Sequence, residues 1–168
     1  CYGYAAEIEG GGKSEDDDAF LRDGTAFRHV MMAERPNGDF AHTILRQFFF
    51  AAYMNPFWQA MTDSADRQLA AHAGKAVKET AYHIRHSGEW VIRLGDGTEE
   101  SARRMAAALD DLAPYVGEMF ETNDTASRLV AAGILPDPAP VRGAFDDTVA
   151  RTFAMATMPP FEVPAGIS

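Results

Sequence analysis

Apolar positions recur at steps of three and four through most of the chain. Phe40, Ile44, Phe48, Ala51, Met54, Trp58 and Met61 trace one face of a helix. The turn sequence RPNG (35–38) precedes it, and Asp39 is placed to cap it. Pro56 interrupts the run, so a kink is expected there. A second run, 66–94, carries Leu69, Ala73, Ala76, Thr80, His83, Ser87, Trp90 and Leu94 on its predicted inner stripe. Ala70, Val77, Ala81, Ile84 and Val91 lie beside that stripe, while Lys75, Lys78, Glu79, Arg85 and Glu89 fall largely on other faces.

Gly95 reads as the C-cap of this helix. Thr98 then caps a third helix, with Glu99 and Glu100 favourably placed near its N-terminal dipole and a second kink expected at Pro114 before it ends near 120. Asp124 opens a shorter helix, 134–140 reads as extended, 141–158 as helical, and the remainder as a non-helical tail. At the other end, 1–9 resembles the close of a helix stopped by Gly10 to Gly12, 13–18 a solvated loop, and 19–34 a short helical run. No segment alternates like a strand and no fixed period repeats. The expected fold is an all-α bundle, one domain spanning 1–168.

Composition narrows the class. The 168 residues are 46% hydrophobic, enough for a real core, yet charges break every apolar run before it could span a bilayer. Fifteen Lys and Arg against 25 Asp and Glu leave a formal charge of −10, which argues against nucleic-acid backbone binding as the main task. A single cysteine favours a reducing, cytoplasmic setting. No signal-peptide pattern is visible, but the chain opens on Cys1, so a longer protein is expected.

Candidate chemistry is sparse. GGGKS (10–14) ends like a phosphate loop but has Glu7 where that motif needs glycine, and no strand precedes it. Asp16 to Asp18 lack the spacing of a calcium loop, and no serine sits in a nucleophile elbow. NDT (123–125) matches a glycosylation acceptor that a cytoplasmic chain would never use. The histidines remain. Glu79, His83 and His86 neighbour one another on a helix, but only His83 falls on the inner stripe. Bundle metal sites pair such a histidine with a carboxylate at i−3, and that residue is Thr80. The level position on the preceding helix is Ala51. A methyl, a hydroxyl and an imidazole offer no negative charge to hold iron, so these positions read as the outline of a metal site, with His83 a histidine satisfied by one hydrogen bond.

Three stretches carry a family resemblance: MMAERPNGDFAHTILRQFFF (31–50), LAAHAGKAVKETAYHIRHSGEWVIRLGDGTEES (69–101) and LDDLAPYVGEMF (109–120). They resemble the structural subunits of bacterial phenylacetyl-CoA epoxidases, multicomponent monooxygenases of phenylacetate degradation. The resemblance implies a ferritin-like bundle without cofactors of its own, partnered by a homologous di-iron subunit that epoxidises the aromatic ring. A reductase carrying FAD and an iron–sulfur cluster would supply electrons from NADPH. It also implies that Ala51, Thr80 and His83 are vestigial metal positions, and that a leading helical hairpin and a C-terminal segment lie outside this stretch. Phe49, Phe50 and Phe57 cannot all face one core, so some are expected at the partner contact. The competing expectation is an independent ferritin-like di-metal oxidase or metal-binding protein.

Overall fold

The computed structural model describes residues 2–26 and 29–165. Every regular element among them is helical: α1 (Tyr2–Glu9), α2 (Glu15–Ala19), α3 (Met31–Glu34), α4 (Phe40–Met61), α5 (Arg67–Gly95), α6 (Glu99–Leu112), α7 (Asp124–Ala131) and α8 (Pro138–Met155). Short 3₁₀ turns stand at Gly24–Ala26, Ala113–Tyr115 and Gly117–Phe120. The architecture is an all-α, ferritin-like helical bundle. None of the described helices is long and apolar enough to cross a membrane.

The long hairpin of α4 and α5 forms the frame. Asp39 caps α4 by accepting the His42 N–H, and Asp66 caps α5 by accepting those of Gln68 and Leu69. The Tyr4 phenol also donates to Asp66 at 2.5 Å, which ties α1 to the start of α5 and, with the backbone donors, holds that carboxyl below its ordinary range. Helix α4 also packs against α6 and α8, both of which touch α5 as well. That second contact explains a broader buried surface than one stripe predicts: Ala41, Leu45, Phe49 and Ala52 are as enclosed as Ile44 and Phe48. Phe48, Phe49, Phe145 and Phe153 form the centre, where Phe161 of the tail packs on Phe49 with ring centroids 5.3 Å apart. Phe40, expected inside, is 51% exposed and meets Trp90 edge-on.

Several local expectations change. α4 continues through Pro56, which lacks the N–H that would bond the Ala52 carbonyl. The 13–18 loop is instead the start of α2, because Ser14 and Asp17 form a reciprocal capping box. Asp18 within it is buried and accepts from Arg22 at 2.6 Å, so the acidic run is not wholly solvated. The 19–34 run is not one helix: a 3₁₀ turn and α3 are its regular pieces, with 27 and 28 outside the described residues. Pro114 ends α6 in 3₁₀ turns rather than kinking it, and α8 starts at Pro138, where Asp137 supplies the cap.

Gly10 adopts φ 71° after α1, as a left-handed stop requires. Gly95 serves a different purpose. It is the last residue of α5, with no left-handed conformation, and a Cβ there would lie 2.4 Å from the Ala156 carbonyl oxygen. Its missing side chain lets the end of α8 touch α5.

Candidate functional site: the groove between the long helices

α4 and α5 bring the three outlined metal positions together. Ala51, Thr80 and His83 line one side-open groove of about 220 Å³, with Gln47, Phe50 and Met54 completing its walls. The groove is shallower than the inner-stripe reading requires. Ala51 is buried, but the His83 side chain is 39% exposed. The fully enclosed positions of α5 are Ala73, Ser87, Gly88, Val91 and Gly95, so the buried line runs to one side of His83.

His83 has the one hydrogen bond that a satisfied histidine needs. The Gln47 amide nitrogen lies 3.2 Å from His83 Nδ1, and donation to that atom leaves the ring proton on Nε2. Glu79 Oε1 stands 3.9 Å from Nε2, beyond hydrogen-bond range, on a side chain 77% exposed. Tyr82 meets the His83 ring edge-on at 5.8 Å.

Thr80 points the other way chemically. Its hydroxyl donates to the Ala76 carbonyl at 2.9 Å and accepts from Asn55 Nδ2 at 3.0 Å. Asn55 Nδ2 also reaches the Val77 carbonyl at 3.2 Å, while Asn55 Oδ1 accepts from Gln59 at 3.0 Å. Asn55 is 8% exposed, and the periodicity of α4 does not single it out. The signal in the sequence is an amide one turn beyond Ala51 on an otherwise apolar face. Where a bundle metal site would place charged donors, these helices carry a neutral cross-brace. Among the described residues, no three His, Cys, Asp or Glu side chains gather to hold a metal. One imidazole with neutral amides and a hydroxyl does not fit a di-iron centre, whose charge needs carboxylates.

The aromatic trio divides. Phe49 is completely enclosed, against Phe48, Phe145, Phe153 and Phe161, so the expectation that it serves a partner contact is corrected. Its position faces α8, which the single-stripe reading of α4 does not anticipate. Phe50 is half-buried on the groove wall. Phe57 is also half-buried, lining a separate apolar cavity of about 90 Å³ with Tyr53, Phe120, Val130 and Leu135. Burial there pushes the Tyr53 phenol above its ordinary value.

Two of the stretches that carry the resemblance meet at the far end of the hairpin. Arg46 donates to the Arg35 carbonyl and to Asn37 Oδ1, both at 2.5 Å, and so clamps the RPNG turn. Arg35 reaches Asp111 at 2.8 Å and lies over the Tyr115 ring, and Glu118 accepts the Met31 N–H at 2.7 Å. These long-range bonds join 31–50 to 109–120 and make that corner architectural. Arg103 and Arg104 are held by Glu100, and Arg85 lies over Tyr82.

A family model described as "Phenylacetic acid catabolic protein" matches residues 1–165. The chain is also similar to a protein of Escherichia coli (strain K12) named as one of the subunits of 1,2-phenylacetyl-CoA epoxidase, at 39% identity over 155 residues. That match takes in 92% of this chain and 62% of the relative's length.

Proposed function

The chain belongs to the phenylacetic acid catabolic protein family, and on that premise we propose that it is a non-catalytic, structural subunit of a phenylacetyl-CoA epoxidase. The ring oxidation is carried out by a homologous di-iron polypeptide, with electrons arriving from NADPH through the FAD and iron–sulfur groups of a reductase. This chain supports the shape of the catalytic polypeptide through helix-on-helix contact. The observation that carries the reading is the donor set of the groove. Asn55, Thr80 and Gln47 spend their polar groups on bracing α4 to α5 and on orienting His83, and no carboxylate replaces them. The similarity to a relative named as part of 1,2-phenylacetyl-CoA epoxidase points to the same complex.

Purification of the full protein, alone and co-expressed with the di-iron polypeptide, tests this. The expected outcome is co-elution on size exclusion at micromolar concentration, with iron and turnover following the partner. Near-stoichiometric iron in the protein alone, or unaided oxidation of an aromatic CoA thioester, would replace the reading with an independent di-metal oxidase.

A further inference from the structure

Helix α5 is the basic element of an acidic chain. It carries Arg67, Lys75, Lys78, Arg85 and Arg93 against Glu79 and Glu89, while the whole chain has a formal charge of −10. All five cations are exposed. On other elements most cations are neutralised nearby: Arg22 by Asp18, Arg35 by Asp111, Arg103 and Arg104 by Glu100, Arg142 by Asp146. The exceptions, Arg46, Arg128 and Arg151, stand singly on three different helices and form no ion pair among the described residues. None of the α5 cations forms an ion pair with a carboxylate among the described residues, although Lys75 and Glu79, and Arg85 and Glu89, stand at i,i+4 spacing. Positive charge therefore dominates one helix face, where Glu89 is the acidic exception.

The relief of that face suits a second helix. At about 100° per residue, Arg67, Lys78 and Arg85 fall within about 20° of one line along the helix, spread over about 27 Å. Between them lie exposed Ala71, Gly74 and Ala81, and nothing stands within 4 Å of a Cβ built at Gly74. Small residues let a packed helix approach closely, at the short end of interaxial distances. Tyr82 rises beside them, 53% exposed, with the Arg85 guanidinium 5.7 Å from its ring centroid and His86 stacked at 5.9 Å. Tyrosine and arginine are the side chains that most often anchor interface centres.

We propose that the solvent face of α5 around Lys78, Tyr82 and Arg85 docks an acidic helical surface on the catalytic polypeptide. The inference deepens the structural-subunit reading and rests on it. A protein occupant fits better than a nucleic acid, because the narrow basic band sits on a chain whose overall charge repels an extended phosphate backbone. Carboxylates on the incoming surface would steer association and fix register, and the interaction weakens as salt screens it.

The test uses the full chain and its co-expressed di-iron partner, with affinity measured at low and high salt. Lys78→Glu with Arg85→Glu reverses the charge at exposed positions. Arg151→Glu, on the exposed side of α8, is the control. Circular dichroism and thermal melting verify that each variant folds as wild type does. The proposal expects the double reversal to weaken partner binding at least about tenfold at low salt, the control to bind as wild type, and the difference to shrink at high salt. Wild-type affinity for the partner retained by the double reversal would overturn the docking face while leaving the structural-subunit reading intact. A wild-type chain that does not bind the partner at all would overturn both. Tight wild-type binding to a short DNA duplex, abolished by the same reversal, would reassign the face to nucleic acid and also overturn the proposal.

Discussion

The cross-brace between Asn55 and Thr80 makes a quantitative prediction. Asn55 Nδ2 spans the helix pair to Thr80 Oγ1 at 3.0 Å and to the Val77 carbonyl at 3.2 Å, in a site where Asn55 is 8% exposed. Asn55→Ala removes both bonds; it also frees the Gln59 amide from Asn55 Oδ1, but Gln59 is exposed and water replaces that bond at little cost. Each neutral hydrogen bond contributes about 1 kcal/mol net, so the loss is about 2 kcal/mol, and the better helix propensity of alanine returns about 0.5 kcal/mol. The expected net cost is about 1.5 kcal/mol. Thr80→Ala removes only one of the two cross-helix bonds and gains similar propensity, so its net cost is about 0.5 kcal/mol. Because the Asn55–Thr80 bond is lost in either single variant, the double variant should cost less than the two added together, by about 0.5–1 kcal/mol. Urea unfolding of all four proteins, with m-values compared, measures this directly. Additivity within about 0.3 kcal/mol would refute the brace as an energetic coupling between α4 and α5.

Three other outcomes are expected. Gly95→Ala should destabilise by about 1–3 kcal/mol in urea unfolding, because its Cβ meets the Ala156 carbonyl oxygen at 2.4 Å; Gly88→Ala, whose nearest contact is Phe48 at 3.6 Å, should be neutral or gain up to about 1 kcal/mol. Asp39 is held below its ordinary 3.8 chiefly by the His42 side chain, then by the His42 N–H, with Arg104 nearby. Its contribution is therefore present above about pH 4 and lost as pH falls through the lower folded-state value, so urea midpoints should drop less between pH 6 and pH 3 in Asp39→Asn than in wild type. Thr80→Glu adds one carboxylate beside His83 without supplying the rest of a di-metal donor set, so calorimetric titration should give no saturable ferrous or manganous binding at micromolar concentration. Stoichiometric binding would contradict the fit argument for the groove.

Legibility differs between elements for physical reasons. The starts of α4, α5 and α6 can be read because Asp39, Asp66 and Thr98 act through bonds to their own helices. The loop expected at 13–18 is a helix start although its signal is also local: Ser14 followed by Asp17 is a capping box. In the groove, Ala51, Thr80 and His83 come together as expected because α4 and α5 are consecutive antiparallel helices, whose levels follow from residue counting. The depth of His83 is not legible. Periodicity gives the direction of an apolar face but not which neighbour covers it, and the neighbours of α4 include α6 and α8, far along the chain. For the same reason Phe49 is grouped with Phe50 and Phe57 as a candidate for the partner contact, and Asn55 goes unnoticed.

By itself the sequence determined helical class, most caps, the absence of carboxylates at positions 51 and 80, and the family, since each depends on residue identity at short spacing. Tertiary structure decided which of several apolar faces became core, that Asn55 should bond Thr80, and that α5 keeps its cations without acidic partners among the described residues. Those outcomes depend on where distant segments lie in space, and a pattern that repeats every 3.6 residues carries no record of that.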